Sequence, residues 1–219
     1  MKLTTYIFAF LIIGLISCKP KTVKDIAPIY VEPYYNSNPF KINVGDYSEQ
    51  LKTDDDKKIL EVAQSIISNI DKVNIQTLFV LSNRLYDLKK KDEAIYWFYT
   101  SSFRRNVFKQ TVNGNNHGTE SGELTQAMDT YKKLLGEYVN GYALGNIDKN
   151  VEICKTVVAE NSKMKTLSIA YPNLKFDDTK LETAIKNAAT DREEFIKYML
   201  DNKDEIKKQR TQNGIDNKY

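Results

Sequence analysis

The sequence predicts an all-α protein, either a multi-helix bundle or an array of helical hairpins with about six helices. Apolar residues recur at helical spacing from residue 53 to about residue 210. No run of alternating apolar and polar residues is long enough to predict a strand. Four of the five prolines lie before residue 40, which leaves the helical region almost free of helix breakers.

Length and composition favour one globular domain with a tail. The chain has 219 residues, 41% of them hydrophobic and 11% aromatic, which is enough to build a real core. Its 32 basic and 29 acidic residues are interspersed, and the net charge is only +3. A nucleic-acid binder normally shows a basic patch or stripe, so this charge pattern argues against one.

The N-terminus is typical of a secretory signal. Lys2 precedes an almost wholly apolar run from Tyr6 to Ile16. Those eleven residues are too few to cross a bilayer core, which takes about 20, but they suit the apolar region of a signal peptide. We therefore predict that residues 1–17 are a signal peptide and belong to no fold.

The end of that run, Leu15-Ile16-Ser17-Cys18, resembles the lipobox of bacterial lipoproteins. The resemblance implies cleavage after Ser17 and attachment of lipid to Cys18, which would anchor the protein to a membrane of the bacterial cell envelope. Two or three acyl chains are sufficient for stable anchoring, at about 0.8 kcal/mol per buried CH₂. The alternatives are an ordinary signal peptide with a chance cysteine, and an uncleaved anchor.

Three further regions follow the signal. Residues 18–52 carry the early prolines and are predicted to be a tether, with the part around 29–40 lying extended over the helical body. Residues 53–210 are the predicted helical domain, and residues 211–219 a frayed tail. We expect six helices in the domain, at about residues 53–69, 75–90, 92–108, 123–142, 147–161 and 177–210.

The third of these helices is predicted to be the centre of the domain. It opens with Asp92 and Glu93, holds the only tryptophan, Trp97, and is apolar nearly all round. Helices of this kind are usually buried by neighbours on several sides. We interpret its role as presenting the preceding helix to a partner. Arg104 and Arg105 near its predicted end are interpreted as charges that favour a helix C-terminus, and the alternative is that they bind an acidic partner or lipid headgroups.

The second and third helices resemble one tetratricopeptide or Sel1-like hairpin. The motifs are Leu78-x-x-Leu81-Ser82-x-x-Leu85 and Ala94-Ile95-Tyr96-Trp97-Phe98. The family's tryptophan, glycine and tyrosine are replaced in the first helix, the closing proline is absent, and no second copy of the repeat is convincing. The alternative is an ordinary antiparallel helix pair.

The resemblance implies a partner-binding groove on the exposed side of the second helix. The matching positions are Gln76, Phe79, Asn83 and Tyr86. Asn83 matches an asparagine that often clamps a ligand backbone, while Phe79 replaces a lysine and implies a hydrophobic partner. The alternative is that Phe79 and Tyr86 pack against the first helix or the tether.

No catalytic or metal-binding motif is present, and we expect no cofactor. His117, with Glu120 and Glu123 near it in a glycine-rich loop, is the one candidate for acid–base chemistry. The alternative is a solvated histidine. Cys154 shares a helical face with valines, which favours a small buried residue over a reactive thiol or a disulfide partner.

These observations favour a membrane-anchored envelope lipoprotein that binds a protein or peptide, such as an immunity, inhibitor or accessory protein. The alternative is an envelope hydrolase that uses carboxylates and His117.

Overall fold

The structure is a computed structural model that describes residues 47–53, 55–216 and 218–219. The predicted signal peptide, Cys18 and most of the predicted tether lie outside the described residues. The described residues form eight α-helices and no β-strand, so the predicted all-α fold is confirmed. The helices are α1 (Ser48–Lys52), α2 (Asp56–Ser68), α3 (Ile75–Asp87), α4 (Lys91–Thr111), α5 (Glu120–Ala143), α6 (Ile147–Asn161), α7 (Leu181–Asp201) and α8 (Lys203–Gln212).

The described residues form two more helices than the six that were predicted. The short α1 lies within the predicted tether, and its Leu51 is buried in the core. Five residues are too few to show a helical period, so α1 could not be predicted from the apolar pattern. The predicted last helix is divided at Asn202, whose side chain donates to the carbonyl of Tyr198 and separates α7 from α8.

Several helix ends differ from the predictions, among them the start of α2 and the end of α3. Helix α2 begins at Asp56 rather than at the predicted residue 53, and Asp55 caps it, because its carboxylate accepts from the amides of Lys57 and Lys58. Helix α3 ends at Asp87, before the predicted Lys90. The chain leaves the helix through Lys89, whose φ of 61° is the left-handed conformation common after helix C-termini.

Helix α4 is the centre of the fold, as predicted. It packs against α3, α5, α6 and α7, and Trp97 is buried. Its largest interface is with α3. Small residues bring these two helices together, and the Ser82 hydroxyl donates to the carbonyl of Ala94 at 2.6 Å. A helix surrounded in this way has no continuous polar face, which explains the pattern in its sequence.

The two arginines of α4 are not at its end, because the helix continues to Thr111. The Arg104 side chain is buried and donates to Asn161 Oδ1 at 2.8 Å and to Asp71 Oδ1 at 3.3 Å. Burial lowers the pKa of Arg104. Arg105 forms an ion pair with Asp129 of α5. Both arginines therefore join α4 to its neighbours, which corrects their interpretation as charges at a helix end.

The segment between α6 and α7 is fastened to the beginning of α3. The Tyr171 hydroxyl accepts from the amide of Ile75 at 2.7 Å and donates to Gln76 Oε1 at 2.7 Å. Val112 and Phe176 form an isolated bridge between the end of α4 and the same segment. These contacts set the position from which α7 returns along α4.

The described part of the tail folds back onto α5, whereas a frayed tail was predicted from residue 211. Arg210 donates to the carbonyl of Gly141 at 2.5 Å and to Asp216 Oδ1 at 3.2 Å. The Tyr219 ring packs edge-on against Tyr138, with 6.1 Å between centroids. Gly141 makes this possible, because a Cβ there would lie 2.6 Å from the ring of Tyr219.

Candidate functional site

The groove predicted on α3 is absent. Gln76, Phe79 and Tyr86 are only 1%, 0% and 6% exposed, and Asn83 is half-buried. Helix α5 covers this side of α3, and the Phe79 ring stacks on Tyr131 with 6.0 Å between centroids and 7° between planes. The rings of Phe79 and Tyr86 are covered by Tyr131 and Tyr138 of α5, and Gln76 is bound by Tyr171, so these side chains line no open groove.

The His117 loop does not form a catalytic arrangement. His117, Glu120 and Glu123 are all exposed, and His117 Nδ1 lies 2.8 Å from the amide nitrogen of Gln126. In the described part of the chain, no titratable side chain is hydrogen-bonded to His117, Glu120 or Glu123. Among the described residues, no group of three or more His, Cys, Asp or Glu side chains is placed to hold a metal ion.

Cys154 is a free and fully buried thiol, as its position on an apolar face predicted. Its Sγ lies 3.8 Å from Asn150 Oδ1. Burial raises the pKa of the thiol, and the positive charge of Arg192 opposes that rise. A protonated, enclosed thiol is a poor nucleophile, so Cys154 is a core residue.

A cavity of about 310 Å³ lies between α4, α5 and α7. Its floor is buried and mostly apolar. The floor residues are Phe98, Ser102, Phe103 and Ala188. Its rim is charged. The charged rim residues are Lys132, Asp191 and Arg192. The cavity therefore combines a small apolar floor with convergent polar groups, and ligand-binding sites also use a few polar groups to orient what they bind.

Arg192 is held in the cavity by aromatic rings. The central carbon of its guanidinium lies 4.1 Å from the centroid of Tyr99 and 5.5 Å from that of Phe195. These are cation–π contacts, which restrain the position of the guanidinium without neutralising its charge. The Nε of Arg192 is buried, and no described residue accepts a hydrogen bond from it.

The Ser102 hydroxyl has no hydrogen-bond partner among the described residues, although the side chain is only 3% exposed. Its neighbour Ser101 behaves as buried helical serines usually do, and donates to the carbonyl of Trp97, four residues earlier, at 2.6 Å. Leaving a buried hydroxyl unsatisfied costs about 1–3 kcal/mol. The cavity floor therefore holds an unused polar group.

Positive charge is concentrated at the rim. Lys132 has no ion-pair partner in the described part of the chain. Burial lowers the pKa of Lys132, and so do the charges of Arg105 and Arg192, while Asp191 acts in the opposite direction. Asp191 accepts from Asn106 Nδ2 at 3.1 Å. An anion bound near Lys132 and Arg192 would relieve this repulsion.

Sequence reasoning missed this cavity because its polar groups come from three separate helices. Ser102, Lys132 and Arg192 belong to α4, α5 and α7, and no motif joins them. The available signal was the small polar pair Ser101-Ser102 inside an otherwise aromatic segment. Ser101 is satisfied by the carbonyl of Trp97, whereas Ser102 has no described partner.

The chain is similar to a protein of Haemophilus influenzae that is described as uncharacterised. The two are 26% identical over 240 residues, which cover 100% of this chain and 87% of that protein. No family model matches the chain, and no solved structure matches it. The features of the chain that bear on its function are therefore the cavity and the N-terminal sequence.

Proposed function

We propose that this protein is a lipid-anchored binding protein of the bacterial cell envelope whose helical body binds a protein or peptide partner. The observation that carries the proposal is the cavity between α4, α5 and α7. It combines a buried hydroxyl without a partner, at Ser102, with two cations, Lys132 and Arg192, that lack ion pairs among the described residues.

The cavity favours binding over catalysis. It contains no histidine, and its one carboxylate, Asp191, lies at the rim with Asn106 as its hydrogen-bond partner. A buried serine needs an adjacent base to act as a nucleophile, and Ser102 has no hydrogen-bond partner at all among the described residues. The hydrolase alternative, which depends on His117, gains no support from that exposed loop.

The binding surface proposed here replaces the one on α3. The tetratricopeptide-like motif is explained by packing alone, because its small residues let α3 and α4 approach and its large ones fill the core. A partner would instead approach the side of the domain where α5 and α7 flank α4.

The lipid anchor is supported by the lipobox-like run that ends at Cys18. No helix in the part of the chain that the structure describes is long and apolar enough to cross a membrane. A lipid on Cys18 would then supply the membrane attachment.

Replacing Cys18 tests the anchor. We expect Cys18→Ser to move the protein from the membrane fraction to the soluble fraction and to abolish labelling with a palmitate analogue. Cys154→Ala is the matched control, since it removes the other cysteine, which is buried in the core. This variant should stay with the membrane and keep its label. Membrane association of Cys18→Ser equal to that of the control would contradict lipid anchoring.

A further inference from the structure

We propose that the cavity between α4, α5 and α7 binds a carboxylate that is attached to a small apolar group. This is the chemistry of the C-terminal residue of a peptide, and also that of a free organic acid of similar size. The inference rests on the proposed binding function and specifies the group that the cavity recognises.

The rim charges favour a single negative charge. Lys132 and Arg192 contribute two positive charges and Asp191 one negative charge, so the charged groups that line the cavity sum to +1. A monoanion brings the sum to zero, whereas a dianion such as a phosphate monoester would leave an excess negative charge beside Asp191. A carboxylate also matches the planar fork of a guanidinium, which binds its two oxygens together.

Arg192 is already oriented for such a contact. Its cation–π contact with Tyr99 holds the guanidinium at the cavity wall before any ligand arrives. Pre-orientation reduces the entropy that is lost on binding, because fewer side-chain rotations have to be frozen. Tyr99 is itself fixed, since it is buried and its hydroxyl donates to Asn140 Oδ1 at 3.0 Å.

The floor requires an apolar group beside the carboxylate. Phe98, Phe103 and Ala188 form the apolar floor. The oxygen of Ser102 is itself covered, so its side chain has to rotate before the hydroxyl can donate to a ligand oxygen. A bare carboxylate, such as the side chain of an acidic residue, would pair with the rim and leave the floor empty. A carboxylate next to an apolar side chain satisfies the rim, the hydroxyl and the floor together.

The size of the cavity limits the ligand to about one residue. Its volume of about 310 Å³ is at the low end of the range of roughly 300–1,000 Å³ that is typical of ligand sites. A helix or an extended segment of several residues would not enter it. A peptide would therefore insert its last residue and leave the rest of its chain on the surface.

Binding can be measured by titration calorimetry with the full-length lipidated protein in detergent. The probes are phenylacetate, phenylacetamide, a tripeptide of two glycines and a C-terminal phenylalanine, and the C-terminal amide of the same tripeptide. Each amide keeps the shape of its acid and removes the charge. We expect at least one acid to bind, and its amide to bind about tenfold more weakly or not at all. Equal binding of acid and amide, or no binding of either acid, would overturn the proposal.

Variants locate the site. Ser102→Ala and Lys132→Gln should each weaken binding of the acid by about threefold to tenfold, and Arg192→Lys, which keeps the charge but loses the fork, by about tenfold. Lys133→Gln is the matched control, because Lys133 is an exposed neighbour on α5 that does not line the cavity. If Lys132→Gln and Lys133→Gln weaken binding of the acid equally, only the overall charge of the protein matters. That result would contradict the cavity as the binding site. Thermal melts of each variant confirm that it is folded.

The two pairs of probes also separate this inference from the proposed function. Tighter binding of the tripeptide than of phenylacetate identifies a peptide terminus as the source of the carboxylate. Binding of phenylacetate alone supports the cavity chemistry but contradicts a peptide partner. Binding of the tripeptide that is unchanged in Ser102→Ala and Lys132→Gln keeps the binding function and overturns the cavity as its site.

Discussion

The two sides of α4 are packed in different ways. Towards α3 the interface is filled by side chains such as Phe79, and the Ser82 hydroxyl donates to the carbonyl of Ala94. Towards α5 and α7 there is a cavity of about 310 Å³, and the Ser102 hydroxyl has no partner among the described residues. A helix that is buried on all sides can therefore be fully packed on one side and still border a cavity on another. The side that departs from complete packing and hydrogen bonding is the one to examine for function.

The largest expected effect on stability is on the side of α4 that packs against α3. Phe79→Ala should lower the free energy of unfolding by about 3–5 kcal/mol, because it removes a fully buried ring that contacts α4 and α5. Urea denaturation followed by circular dichroism measures this change. Truncating a residue that lines an open partner-binding groove would lower the free energy of unfolding far less.

Ile67→Ala is the control for that measurement. Ile67 is a large apolar residue of α2 that is 52% exposed, so its loss should change the free energy of unfolding by about 0.5 kcal/mol or less. A loss below about 1 kcal/mol in Phe79→Ala would contradict the close packing of α5 on α3.

A pair of serine variants compares the two sides directly. Ser82→Ala should lower the free energy of unfolding by about 1 kcal/mol, because it removes a buried hydrogen bond. Ser102→Ala should leave it unchanged or raise it, because it removes a buried hydroxyl that has no described partner. Both changes gain the same intrinsic helix propensity, so the difference between them reports the hydrogen bond. Equal values from chemical denaturation would show that the two hydroxyls are equally satisfied.

The smallest expected effect concerns the rim. Lys132→Gln should raise the free energy of unfolding by roughly 0.2–0.5 kcal/mol, because it removes a partly buried charge that Arg105 and Arg192 also repel. The fold lowers the pKa of Lys132, so the destabilisation is complete below the folded-state pKa. It disappears as the pH rises towards 10.5, the ordinary lysine value.

Thermal melts of wild type and Lys132→Gln at neutral and alkaline pH measure this effect. The advantage of the variant should shrink at alkaline pH. A variant that is less stable than wild type at neutral pH would mean that Lys132 makes a favourable contact, and the repulsion at the rim would then be excluded.

The helices could be predicted from the sequence where local signals agree. Helix α6 runs from Ile147 to Asn161 as expected, because Asn146 caps an apolar period that begins at the next residue. The buried centre was also predictable, because the segment around Trp97 lacks a polar face. The end of α3 was not, because nothing in a run of lysines indicates which of them adopts a positive φ.

The candidate site could not be predicted, because it depends on which helix covers which face. The spacing of Phe79, Asn83 and Tyr86 is equally consistent with an open groove and with a covered interface. Helix α5 decides between the two, and its position is set by tertiary contacts such as the stacking of Tyr131 on Phe79. The juxtaposition of Lys132 and Arg192 is a product of the same packing.

The arrangement of helices around α4 also implies an order in which they assemble during folding. Helices α3 and α4 are joined by three residues and share the largest interface of the fold, so they can pair early, with little loop entropy to overcome. Helix α7 reaches α4 only after the chain has passed through α5 and α6, and the charges of Lys132 and Arg192 repel each other as it arrives. We expect the wall of the cavity to be the last part to assemble and the first to open, with its amides exchanging hydrogen sooner than those between α3 and α4.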